Sequence, residues 1–148
     1  MAVDRAWLGR TAGAVLKAAR AGEAELSLVL VSDRRMRALN RRYRNKDRST
    51  DVLAFPMYEG QPPKRRLVAP AASVAASSRA SGVLIGDVVI SLPTAKRQAA
   101  ALGHSLREEV TRLLVHGVLH LLGYDHERSK RDALLMARKE RTILSRIR

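Results

Sequence analysis

Three of the chain's four histidines fall within eleven residues, in the segment His116-Gly117-Val118-Leu119-His120-Leu121-Leu122-Gly123-Tyr124-Asp125-His126. Imidazole nitrogens ligate transition metals, and spacing decides whether several can converge on one ion. His116 and His120 are four apart, so on a helix they share a face, about 6 Å of rise apart. If that helix continued, His126 would lie about 15 Å along the axis from His116. Gly123 removes the difficulty, because a glycine at a helix end accepts a left-handed turn and lets the chain fold back. The pattern H-x3-H-x2-G-x2-H therefore predicts one ion held by His116, His120 and His126. Three imidazoles with an open water position make a hydrolytic zinc site, whereas structural sites are usually closed by four protein ligands. Nickel and cobalt would also be accepted.

The same spacing occurs in metzincin proteases, which carry Glu directly after the first histidine as general base. Gly117 stands there in this chain. Losing a general base costs about 10²–10⁴-fold, so water activation is expected without conventional peptidase activity. No replacement base is obvious. Asp125 and Glu127 flank His126 and read either as partners that orient an imidazole or as solvated carboxylates. Asp51 and Asp87 sit in strands that approach the site, with a structural role as an equal alternative. His104 lies outside the pattern and reads as surface. Tyr124 reads as core beneath the metal loop.

The net charge is +14 over 148 residues, from 28 Lys and Arg against 14 Asp and Glu. The cations cluster. Arg34, Arg35, Arg37, Arg41, Arg42, Arg44, Lys46 and Arg48 crowd one segment, Lys64, Arg65 and Arg66 another, and a third series from Arg128 to Arg148 fills the end of the chain. This is an electrostatic footprint for nucleic acid. Aromatic residues are few and scattered (Trp7, Tyr43, Phe55, Tyr58 and Tyr124), so the grip should fall on phosphates and shape more than on stacked bases. The basic stretches coincide with no aromatic amphipathic face, which argues against a membrane surface. Cysteine is absent, which excludes disulfides and thiolate sites. The first residues lack a signal-peptide layout and the apolar runs are too short to span a bilayer, so the cytoplasm is the default compartment.

A single α+β domain is expected, a small mixed sheet packed with helices. Helices are predicted over residues 4–20 (cap Asp4), from Ser32 or Asp33 to about Tyr43 (stripe Met36, Leu39, Tyr43), from Pro93 to about Leu102, and from the capping box Ser105–Glu108 to about Leu122. A last helix covers residues 129–145. Strands are predicted over 26–31, 51–55 and 83–91. Residues 59–82, rich in Ala, Ser and basic residues and broken by Pro62, Pro63 and Pro70, read as a long loop, partly disordered rather than a lid.

The chain resembles the YbeY family of bacterial endoribonucleases, the rRNA maturation factors. The likeness rests on Leu39-Asn40, Tyr43-Arg44 and Lys46-Asp47, then Ser49-Thr50-Asp51-Val52-Leu53-Ala54-Phe55-Pro56. It continues through Gly86-Asp87, the whole 116–126 block, Met136 and Glu140. The resemblance implies a single-strand-specific, metal-dependent endoribonuclease. Such an enzyme acts in maturation of the 3′ end of 16S rRNA and in late-stage ribosome quality control, with rRNA and the small subunit as partners. It implies zinc on His116, His120 and His126, and a catalytic role for Arg44 beside His116. The 59–82 excursion is longer than the family pattern, and a basic helix replaces an acidic tail. Two other readings stand beside this one: a metzincin-like hydrolase of another substrate, and a non-catalytic ribosome-biogenesis factor whose metal holds the fold. The sequence does not specify the oligomeric state.

Overall fold

A computed structural model describes residues 3–57, 74–77 and 83–147. Tyr58, the Lys64–Arg66 cluster, the prolines of the excursion and Arg148 lie outside the described residues. The elements run α1 (Arg5–Ala18), β1 (Ala24–Val31), α2 (Asp33–Arg44), β2 (Val52–Pro56), β3 (Val74–Ser77), β4 (Val83–Ser91), α3 (Leu92–Leu102), α4 (Leu106–Leu121) and α5 (Lys130–Arg146). The strands form one mixed sheet in the order β2-β4-β1-β3. β1 and β4 pair in parallel, while β2 on β4 and β3 on β1 are antiparallel.

The local signals set the helix starts. Asp4, Ser32, Ser91 and Ser129 each accept a backbone N–H of the first turn, and Ser105 with Glu108 completes a capping box. α3 begins one residue before Pro93, at Leu92. β1 and β4 are covered on both sides. Leu26, Leu28, Leu30, Val88 and Ile90 face one core with α1 and α4, whereas Val29, Val31 and Val89 face Met36 and Leu39 of α2. Burial on both faces is why these strands read as unbroken apolar runs rather than as alternation.

Two expectations need correction. The 59–82 stretch is not loop throughout, because Val74–Ser77 is a strand antiparallel to β1, with Leu30 opposite Val74 and Ser27 opposite Ser77. Val-Ala-Ala-Ser carries little intrinsic strand signal, and its pairing comes from the β1 edge. Tyr43 does not join the buried stripe of α2. It is 44% exposed, its ring standing edge-on to Phe55 at 5.3 Å. Among the described residues, no helix is long and apolar enough to cross a membrane.

Candidate metal centre

α4 carries His116 and His120 on one face. The helix closes at Leu121, and Gly123 takes φ +100. Gly123 N–H donates to His120 O (3.1 Å) and Tyr124 N–H to Leu119 O (3.0 Å), so the chain doubles back as the glycine signal predicts. Asp125 holds the returning loop by accepting the Glu127 N–H at 2.8 Å. That hydrogen bond draws the Asp125 carboxyl below its usual range. His126 thereby reaches the pair. Its ring centroid is 5.0 Å from that of His116 and 5.1 Å from that of His120, and those two are 4.8 Å apart. One nitrogen from each ring lies within 4.8 Å of the others, a group that can hold a metal ion.

The donor set suits a cation. The Nδ1 of His116 donates to Glu140 Oε1 of α5 at 2.7 Å, which leaves Nε2 with its lone pair. Burial, and then the repulsion that a protonated His116 or His126 would add, push the His120 pKa down and favour the neutral ring that a metal needs.

The triad lines a cavity of about 490 Å³. Arg44, the last residue of α2, Lys46 and Arg48 of the next loop, and Asp51 line the same cavity. That loop is tied from below. Asn40 donates to Arg48 O at 2.9 Å and Ser49 to Asp33 at 3.1 Å. Hydrogen bonds from Ser91, Thr94 and Arg97 hold the Asp33 carboxyl well below the usual range. Arg37 is turned to Asp47 (2.9 Å). The basic segment thus divides into residues that face the cavity and residues that do not.

The carboxylates left open by sequence now have positions. Glu127 stands between Arg44 (3.6 Å) and His126 (3.7 Å). Asp51 accepts the Val52 N–H at 2.7 Å and faces Gln98 at 3.4 Å. Asp87 is buried in β4 and does not line this cavity. Tyr124 packs against the main core, as expected. His104 is not free surface, because its Nε2 lies 2.7 Å from Oε1 of Glu109. Glu109 is fully buried and also binds Arg112 and Gln98. Burial pushes its carboxyl up, but the hydrogen bonds from Arg112, Gln98 and His104 outweigh that and hold it below the usual range. Sequence reasoning missed Glu109 and the Glu140–His116 contact; the only signal was Glu140's place in the family pattern.

A family model described as Endoribonuclease YbeY matches residues 4–148. The chain belongs to the YbeY family. A YbeY from Pelotomaculum thermopropionicum is 46% identical, over 99% of this chain and 90% of that protein. One from Anaeromyxobacter dehalogenans is 50% identical over 87% of this chain, which spans 57% of that longer YbeY protein. Both carry the name endoribonuclease. The solution structure of a Thermotoga maritima protein superposes with a TM-score of 0.63, at 21% identity over 99% of this chain and 85% of that one, and supports the fold alone.

Proposed function

We propose that the protein is a zinc-dependent, single-strand-specific endoribonuclease that matures the 3′ end of 16S rRNA. It would also serve late-stage ribosome quality control, in the cytoplasm and on the small subunit. The observation that carries the catalytic part is the convergence of His116, His120 and His126 in a cavity also lined by Arg44, Lys46 and Arg48. The rRNA and ribosome part rests on family membership.

His116, His120 and His126 would hold one zinc ion, which when bound would supply a water whose pKa is lowered toward about 7 and a Lewis acid for a phosphoryl oxygen. The chain's own residues do the rest. Glu140 fixes the His116 ring and its tautomer. Arg44 offers a guanidinium to the phosphate and neutralises charge that builds on its oxygens during attack. Glu127 holds that guanidinium until a phosphate replaces it. Lys46 and Arg48 draw the flanking phosphates to the same cavity.

Gly117 argues against the protease alternative on steric grounds. A Cβ there would stand 2.7 Å from Val88 Cγ1 and 3.0 Å from Cγ2, because α4 lies directly on the sheet. The Glu that a metzincin keeps there as its base would require Val88 to shift. The test compares metal-loaded wild type with His116→Ala on single-stranded RNA and on peptide. RNA cleavage by the wild type alone is expected. Peptide cleavage, or equal RNA cleavage by the variant, would overturn the reading.

A further inference from the structure

β2 is an edge strand. Among the described residues its only sheet partner is β4. The directions of its backbone groups follow from two bonds at its ends. Ser91 N–H donates to Asp51 O, and Met57 N–H to Ile85 O. Residues 51 and 57 thus turn toward β4, and by strand alternation so do 53 and 55. Residues 52, 54 and 56 turn their N–H and C=O groups to the open edge. Val52 N–H is already held by the Asp51 carboxylate at 2.7 Å. Pro56 has no N–H. Ala54 therefore presents a main-chain donor and acceptor together, and nothing among the described residues pairs with them.

The position of Ala54 gives this edge a use. Ala54 lines the metal cavity, and it also lines a smaller adjoining cavity of about 210 Å³, walled by Tyr124, Arg128 and Pro56. His120 and Asp125 border both. A strand whose phosphate lies over the histidines would place a neighbouring base in the smaller cavity, against a phenol ring and a planar guanidinium.

We propose that this cavity is a nucleobase subsite, in which the N–H and C=O of Ala54 hydrogen-bond the edge of the base next to the scissile phosphate, between Tyr124 and Arg128. The proposal rests on the RNA-cleaving reading and deepens it. A base edge has adjacent donors and acceptors and needs only one residue of open backbone. An extended peptide adding to β2 would need alternating donors along the strand, and it would find one between Val52 and Pro56. A base inside a duplex has its pairing edge occupied, so the subsite would contribute to a preference for single strands.

The test removes the Ala54 N–H alone, by replacing Ala54 with lactic acid so that the amide becomes an ester. Ala54→Pro is the simpler genetic version, tolerated where an edge N–H points outward. Both are measured on a single-stranded oligonucleotide, and on two oligonucleotides made abasic on one or the other side of the cleaved bond. A neutral hydrogen bond predicts a KM raised about 3- to 10-fold on the intact substrate, and no rise on one of the abasic substrates. An unchanged KM on the intact substrate, or the same rise on all three, overturns the subsite while leaving RNA cleavage in place. A wild type that cleaves none of the three overturns the RNA-cleaving reading itself.

Discussion

Glu140 of α5 accepts a hydrogen bond at 2.7 Å from Nδ1 of His116 on α4. The two residues are 24 apart in sequence, and the contact fixes which nitrogen of His116 faces His120 and His126. Removing such a carboxylate typically costs 10- to 100-fold in metal affinity. Glu140→Ala should therefore hold zinc about 10- to 100-fold more weakly in a chelator competition, with RNA cleavage restored by excess metal. Unchanged affinity would show that the contact has no bearing on the metal.

Gly117 is set by packing. A Cβ at 117 meets Val88 at 2.7 Å, and overpacking of this kind costs about 1–3 kcal/mol. Gly117→Ala should lower Tm, and combining it with Val88→Ala should cost less than the sum of the two single changes. Strict additivity in denaturant unfolding would mean that the close approach is not what excludes a side chain.

Arg44 and Glu127 both line the metal cavity and form an exposed pair at 3.6 Å. Exposed pairs are worth at most about 1 kcal/mol and are screened by salt. Glu127→Gln should lower KM for RNA by up to about 5-fold at low ionic strength, and the gain should vanish at high salt. Arg44→Ala should lower kcat/KM by about 10- to 150-fold, the worth of a hydrogen bond from a charged donor. Steady-state kinetics at two salt concentrations reads both effects.

The buried Glu109 hub makes stability depend on acid. Its carboxyl titrates below the ordinary 4.5 when folded, so its contribution is fully present above that value and is lost as pH falls through the folded pKa. In Glu109→Gln, denaturant unfolding should show a lower stability at pH 7 and a shallower decline below pH 4.5 than in the wild type. An identical acid limb would mean that Glu109 carries none of it.

The histidine triad was legible because its geometry is local. A helical pair and a glycine turn act within eleven residues, and the structure closes them as the spacing predicts. Helix caps were legible for the same reason. What sequence could not show depends on distant partners. β3 is a strand through its pairing with β1, and its own composition says little. Glu140 reaches His116 only because α5 packs against α4. His104 looked like surface because nothing nearby in sequence marks Glu109 as fully buried. Tyr43 falls on the helical stripe by spacing, yet among the described residues its ring meets Phe55 edge-on and Arg42 rather than the core, and it stays 44% exposed. The backbone edge at Ala54 carries no side-chain signal at all.

In the proposed mechanism three imidazoles hold one catalytic metal ion for RNA cleavage. The most direct test measures bound metal per chain and single-strand RNA cleavage on the same preparations of wild type, His116→Ala, His120→Ala and His126→Ala. Far-UV circular dichroism on each preparation checks that the chain is folded. The expected result is one zinc per wild-type chain, with metal and cleavage lost together in folded variants. Cleavage at the wild-type rate by a folded variant that binds no metal would contradict the claim.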